Sequence, residues 1–479
     1  MSELKTLKPE RVFYYFEEIV KIPRCSGQEK EISDYLKSVG DDLGLETIQD
    51  DLNNIIIRKP ATSGYENSQG IVIQGHMDMV CEKEENINHD FSKDPIDIAV
   101  EGDFIKAKGT TLGADNGIAL AMGLAILEDN SLEHPSLELL ATTSEETEMD
   151  GALGLKANLL KGTRLLNVDS EEEGVLTVGS AGGELIEASI KISEEELSGY
   201  EGVNISVKGL SGGHSGMEID KERANALKIG LGILKNLKDE LDIRLIEIKG
   251  GSKDNAIPRQ IEIDLAIKKE DLENLEVEIE GVEKELKDKF RYEEAKIIVE
   301  KLNSVDKALS EKALENTIYI LDKVPTGVNT WLKDREETVE SSSNLAIINT
   351  EENFIRIYVS TRSSSERVLK EMRKKIIEDI EKVGKSKITG NYPEWEYNPK
   401  SELRDRAVEL YKDMYGKEME VAVIHAGLES GAFKKTYKDL DIISFGPNMY
   451  DVHTPQEKLS ISSTQRSYNY LVGLLKKLK

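Results

Sequence analysis

Ile71-Val72-Ile73-Gln74-Gly75-His76-Met77-Asp78 is the stretch on which the fold turns. It opens as a short apolar run, which predicts a buried strand, and closes on an imidazole and a carboxylate instead of more core. Three similar runs bounded by turn residues accompany it: Asn54 to Ile57, Leu137 to Thr142, and Leu165 to Val168. Gly117 to Leu127 reads as a helix between them. Earlier, Phe13, Phe16, Ile19 and Val20 fit one helical face, and Ile32, Tyr35 and Leu36 fit another. Strand and helix alternation of this kind predicts an α/β sheet covered on both faces.

Outward from that core the texture changes. From about Glu184 longer amphipathic strands appear, including Val203 to Val207, Ile243 to Ile248 and Ile261 to Ile267, separated by Lys/Glu-rich helices. They predict a separate α+β unit running to about Tyr392, where Pro393, Trp395 and Pro399 mark a break. Glu270 to Lys289 reads as a solvated helix face. The tail carries two apolar runs, Val421 to Ile424 and Ile442 to Phe445, and an amphipathic helix with Tyr468, Leu471, Leu474 and Leu475. Such a tail can complete the first sheet.

Composition excludes several functions. The 479 residues hold 63 Lys+Arg against 91 Asp+Glu, a formal net charge of −28. A nucleic-acid partner requires a cationic surface, and a membrane partner requires basic clusters or a long apolar span; neither is present. At a prior of roughly 150 residues per domain the length predicts two to four domains. Cys25 and Cys81 are too few for a secreted disulfide framework, and the start MSELKTLKPERVFYYFEE lacks a signal-peptide core. A cytoplasmic protein with reduced thiols is expected.

Chemistry gathers where the apolar runs end. His76 and Asp78, two apart at a strand end, share a face, so that Asp78 can orient His76, although a merely polar pair would look the same. Gly113-Ala114-Asp115-Asn116-Gly117 lies just ahead of a helix, where Asp115 could equally serve as a cap. Ser144-Glu145-Glu146-Thr147 and Asn167-Val168-Asp169-Ser170 close two further runs. Four sites at the carboxyl ends of predicted strands are expected, where open α/β sheets place ligands. Carboxylates with a few imidazoles suit Zn²⁺, Mn²⁺ or Co²⁺, and a shared carboxylate can hold two ions. His76, Asp115, Glu146 and Asp169 supply four ligands. A fifth is expected in the tail, where His425 and His453 are candidates and the turn-rich Asn448-Met449-Tyr450-Asp451-Val452-His453-Thr454 favours His453.

The ordered set GHMD, GADNG, SEETEMDGA, NVDSEEEG, SGGHSG, HAGLESG and NMYDVHTPQE resembles the M20 di-zinc metallopeptidases, within them the aminoacyl-histidine dipeptidases, over nearly the whole chain. The resemblance implies a mixed-sheet catalytic domain, residues 1–185 and 395–479, with an inserted α+β lid, 186–394. It implies that His76, Asp115 and Asp169 hold one metal and Asp115, Glu146 and His453 the other. Glu145 would be the general base toward a metal-bridging water, Asp78 the partner of His76, and His214 the oxyanion stabiliser, reaching the site by domain closure or from a second subunit. Asn255, Arg362, Gly427 and Glu429 would hold substrate. A cis peptide between Asp115 and Asn116 is also implied. The activity implied is hydrolysis of Xaa-His and other short dipeptides. The large insertion fits either a homodimer or a lid whose halves come from one chain.

Other classes fit less well. Gly209-Leu210-Ser211-Gly212-Gly213 satisfies a nucleophile-elbow pattern, yet further glycines intervene where a helix should start. Gly384-Lys385-Ser386 lacks the glycine a phosphate loop needs, since Asp379 stands there. A metal-free binding protein would be expected to have lost a ligand. The nearest alternative is an N-acyl amino acid amidohydrolase or carboxypeptidase of the same fold.

Overall fold

The computed structural model describes residues 3–289, 295–333 and 335–479. Its contacts divide the chain into two compact units. One comprises Met1–Gly179, Tyr397–Val423 and Leu428–Lys479; the other comprises Ser180–Glu396 and Ile424–Gly427. The expected joins were 185/186 and 394/395, and the short Ile424–Gly427 segment, expected with the catalytic residues, belongs to the second unit.

The first unit is built on an eight-stranded mixed sheet. Its order is Glu46–Gln49, Ile55–Lys59, Leu137–Thr142, Ile71–His76, Arg164–Asn167, Asp441–Ser444, Val175–Ser180, Glu420–Ile424. The tail therefore enters the sheet: Asp441–Ser444 runs parallel to Arg164–Asn167. The strand Ile71–His76 lies parallel to both neighbours, with His76 level with Thr142 and Gln74 level with Asn167. Every residue of Ile71–His76 and Leu137–Thr142 is buried, as a strand covered on both faces requires.

Helices supply that cover. Ala114–Glu128 is buried from Ala114 through Leu127. Glu10–Ile19 sets Phe13, Phe16 and Ile19 into the same core, and Ile461–Lys477 adds Tyr470, Leu471, Leu474 and Leu475. Each such large side chain contributes roughly 1.5–3 kcal/mol through burial. The helix approaches the sheet closely at Gly75, where a Cβ would lie 2.6 Å from the Cβ of Ala119.

The second unit holds a nine-stranded sheet, ordered Lys296–Ser304, Tyr200–Lys208, Ile261–Lys268, Ile243–Gly250, Arg335–Thr350, Phe354–Ser363, Gly182–Lys191, Lys385–Tyr392, with Gly327–Leu332 beside Arg335–Thr350. Its described pairings are antiparallel, and its helices bury one face, as Ala226–Glu240 does through Leu227, Ile233, Leu234 and Leu237. Leu272–Lys289 buries Leu275, Ile279 and Val282, so the stretch expected as a solvated face is amphipathic. Ser211 lies between Tyr200–Lys208 and the short strand Gly213–His214, not at a strand-to-helix elbow.

One expectation is overturned. Cys25 and Cys81 form a disulfide, with Cα atoms 5.7 Å apart, where reduced thiols were expected. The physical reason is local pairing: Cys25 bridges to Met79, which brings Cys81, two residues on, within reach. Among the described residues no helix is long and apolar enough to cross a membrane.

Candidate metal centre

His76 ends its strand with both ring nitrogens engaged. Nδ1 is 3.2 Å from the Asp78 carbonyl and 3.4 Å from Asp78 Oδ1, both acceptors, so Nδ1 carries the proton. The Nε2 lone pair is then free to bind a cation. Nε2 lies 3.1 Å from Asp115 Oδ1 and 3.4 Å from Asp169 Oδ1. The other oxygen of Asp115, Oδ2, is 3.1 Å from His453 Nε2, which is itself 2.9 Å from Glu146 Oε1. Asp115 thus offers one oxygen toward each imidazole. Ligand atoms of His76, Asp115 and Glu146 all lie within 4.8 Å of one another.

Each ligand is delivered by a specific backbone device. Asp115 does not follow a strand, contrary to expectation: it is the second residue of Ala114–Glu128, and it and Asn116 depart from helical angles there. The Asp115–Asn116 peptide is cis. Asn116 accepts the His76 amide on Oδ1 at 3.2 Å and donates to the Val168 carbonyl at 2.8 Å, tying two strand ends together. Ser144 turns the chain after Leu137–Thr142 with φ 59, and His453 sits at φ 61, left-handed conformations that only a well-determined surrounding holds for such residues. Asp78 stabilises the first turn by accepting the amides of Glu145 at 3.1 Å and Glu146 at 3.2 Å, together with the Ser26 hydroxyl at 2.7 Å.

Beneath the cluster lies a buried polar layer. Asn167 donates to Gln74 at 2.6 Å, and Gln74 and Thr142 both donate to Glu429 Oε2, at 2.7 and 2.8 Å. Glu429 was expected to face substrate; it lies at the start of Glu429–Thr436 with Oε1 making no hydrogen bond among the described residues.

The electrostatics show what this cluster lacks. Burial pushes the carboxyls of Glu145, Glu146 and Asp169 above their ordinary range, Glu171 up to about 7 and Glu429 up to about 8. The Asp115 and Glu146 carboxylates raise His453 to about 11. Burial alone would lower His76, but Asp169, Asp115 and Asp78 override it and raise it well above its usual value. Carboxylates outnumber imidazoles in a water-poor place, and charges so buried require counter-charge. Imidazole and carboxylate donors converging on one carboxylate fit divalent cations of the zinc, manganese or cobalt type.

The second unit carries its own polar set. His214 Nδ1 accepts the amides of Met217 at 2.9 Å and Gly216 at 3.2 Å, which fixes the remaining proton on Nε2. Burial and the nearby Arg362 lower its pKa, so the ring stays neutral. A Cβ at Gly216 would lie 3.0 Å from His214 Cε1 and 3.3 Å from Arg362 Nε, so that residue must stay small. Arg362 is buried and donates to the Tyr392 hydroxyl. Asn255 has an exposed side chain, and its carbonyl accepts the Ser215 amide at 2.8 Å. Gly427 lies against the Tyr392 ring. His425 is not with the ligand set: its Nε2 meets the Ser342 hydroxyl at 2.7 Å, and burial lowers its pKa to about 3.

Sequence reading missed Asn116, Arg24 and Glu457, all buried around the Asp115 loop. Asn116 stood inside a quoted motif. Glu457 likewise closed the quoted motif NMYDVHTPQE without a role being read for it, and Arg24 gave no signal beyond being a single charge among many.

A fold of this kind, with this donor cluster at the ends of its central strands, defines a class of hydrolase, and the family comparison agrees: the chain belongs to peptidase family M20/M25/M40, whose family model matches residues 72–477. It is 35% identical over 486 residues to the cytosol non-specific dipeptidase of Escherichia coli (strain K12), covering 100% of this chain and 99% of the relative. The solved aminoacylhistidine dipeptidase of Vibrio alginolyticus is 36% identical and superposes with a TM-score of 0.91, covering 99% of this chain and 98% of that one. A tripeptidase from Staphylococcus aureus, 16% identical with a TM-score of 0.57 over 98% of this chain and 99% of that one, shares the fold.

Proposed function

We propose that this protein is a two-metal dipeptidase that hydrolyses Xaa-His and other short dipeptides. One observation carries the reading: Asp115 presents Oδ1 to His76 and Oδ2 to His453, with Asp169 and Glu146 completing the two sides. The names of the Escherichia coli and Vibrio relatives support a dipeptide substrate, histidine at its carboxyl end, and a cytoplasmic setting.

His76, Asp115 and Asp169 would hold one divalent cation and Asp115, Glu146 and His453 a second; when bound, such ions would supply polarisation of the scissile carbonyl and a more acidic water. Glu145, its Oε2 3.9 Å from His76 Nε2, takes the proton of the attacking water and delivers it to the amine nitrogen as the C–N bond breaks. Its burial favours holding that proton until the leaving group needs it. Asp78 keeps His76 in the Nδ1–H form and holds the amides of Glu145 and Glu146, so ligand and base share one support.

His214 offers its Nε2–H to the developing oxyanion, a role that suits a neutral ring whose other nitrogen is already an acceptor. Arg362 takes the terminal carboxylate of the substrate, assisted by Asn255 and the Gly427 backbone.

A panel of β-Ala-His, Leu-His, Cys-Gly, tripeptides and N-acetyl amino acids, each with and without chelator, tests the reading. Chelator-sensitive cleavage confined to dipeptides is expected. Faster cleavage of N-acetyl substrates would move the protein to the amidohydrolases.

A further inference from the structure

We propose that Glu457 and Arg24 act as a buried clamp on residues 112–115, positioning Asp115 so that one of its oxygens faces each metal; the proposal rests on Asp115 being the shared ligand.

Glu457 uses both oxygens on backbone. Oε2 accepts the amides of Leu112 at 2.7 Å and Gly113 at 2.9 Å, and Oε1 those of Ala114 at 2.8 Å and Asp115 at 3.3 Å. These donors lie in the turn that leads into Ala114–Glu128, where Asp115 and Asn116 depart from helical angles, so their amides have no intrahelical acceptor. Their carboxylate comes from a residue more than 340 positions away along the chain. With its oxygens committed to amides, Glu457 is not itself a metal ligand.

Arg24 holds the same loop from its carbonyl side. Its Nη2 donates to the Gly113 carbonyl, while Nη1 donates to the carbonyls of Met77 at 3.1 Å and Asp78 at 3.0 Å. Gly113, at φ 71, is therefore held at its N–H by a carboxylate and at its C=O by a guanidinium. A side chain there would meet the Met79 sulfur at 2.7 Å, which leaves glycine as the residue that fits.

The clamp also joins distant pieces of the metal site. Arg24 fastens the loop to the backbone just past His76. Glu457 belongs to the turn that follows His453, its amide donating to the Thr454 carbonyl at 3.1 Å. Displacement of either group lets Asp115 shift relative to both imidazoles at once. A glutamine at 457 could accept with one atom only and would point N–H groups at two amides.

The test compares wild type, Glu457→Gln and Arg24→Lys as full-length proteins, titrated with zinc against a chromophoric chelator, with bound zinc counted by elemental analysis and kcat and KM measured on Leu-His. Both variants are expected to need about 10–100-fold more free zinc for full occupancy. Raising free zinc should restore kcat, KM should stay near the wild-type value, and far-UV circular dichroism should not change. Wild-type zinc affinity in both variants, or lost activity at full zinc occupancy, would overturn the clamp. If Glu457→Gln does not fold, Arg24→Lys alone decides. A wild-type protein that binds no zinc would instead refute Asp115 as the shared ligand.

Discussion

A carboxylate that offers one oxygen to each of two imidazoles, as Asp115 does to His76 and His453, has a different task from one that stands beside the pair without such contacts, as Glu145 does. The two roles separate by mutation. Glu145→Gln preserves shape and removes the proposed base, so kcat on a dipeptide should fall by about 10²–10⁴-fold. Bound metal, counted by elemental analysis, should stay at the wild-type value. A variant that retained most of its kcat would leave proton transfer to another group, with Glu171, whose carboxyl burial pushes up to about 7, the next to examine.

Elements place those residues, and the sequence exposed this unevenly. The strands Ile71–His76 and Leu137–Thr142 were legible because a continuous apolar run flanked by turn residues has few other outcomes. Polar residues at their ends were legible for the same reason, since His76 and Glu146 have no packing role there. Asp115 was expected at a strand end and instead opens Ala114–Glu128, because the irregular start of that helix depends on contacts from elsewhere. Those contacts, from Arg24 and Glu457, join positions that only the folded chain brings together. The disulfide was illegible likewise, since two cysteines 56 residues apart carry no pairing signal. Gly75 leaves no room for a Cβ between strand and helix, so Gly75→Ala should force Ala119 and Asn116 outward. Overpacking of this kind costs about 1–3 kcal/mol, readable in a urea unfolding curve. Unchanged stability would mean that the helix stands farther from the strand than described.

At the scale of the whole molecule the net charge is −28, and the cluster around Asp115 buries several of its carboxylates side by side, where cations are what relieve the repulsion. Glu171 and Glu429 hold protons in the folded chain up to about pH 7 and 8. An unfolded glutamate releases its proton near pH 4.3. The folded apo-protein therefore binds more protons between those limits, and its stability must fall as pH rises through them. Chelator-treated protein should melt at a lower temperature at pH 8 than at pH 6, and added zinc or manganese should raise the pH 8 value by mass action. A melting temperature of the apo-protein that rose over this interval would contradict the sign. The amphipathic Leu272–Lys289 and the Lys/Glu-rich helices of the second unit spread the remaining charge over solvated faces, where it costs little.

Anomalous scattering from zinc-loaded crystals, collected on both sides of the zinc edge, addresses the two-metal centre without any assay. Two peaks should flank Asp115, one contacting His76 and Asp169 and the other contacting Glu146 and His453. A single peak, or a pair that leaves Asp115 untouched, would contradict the assignment on which the chemistry depends.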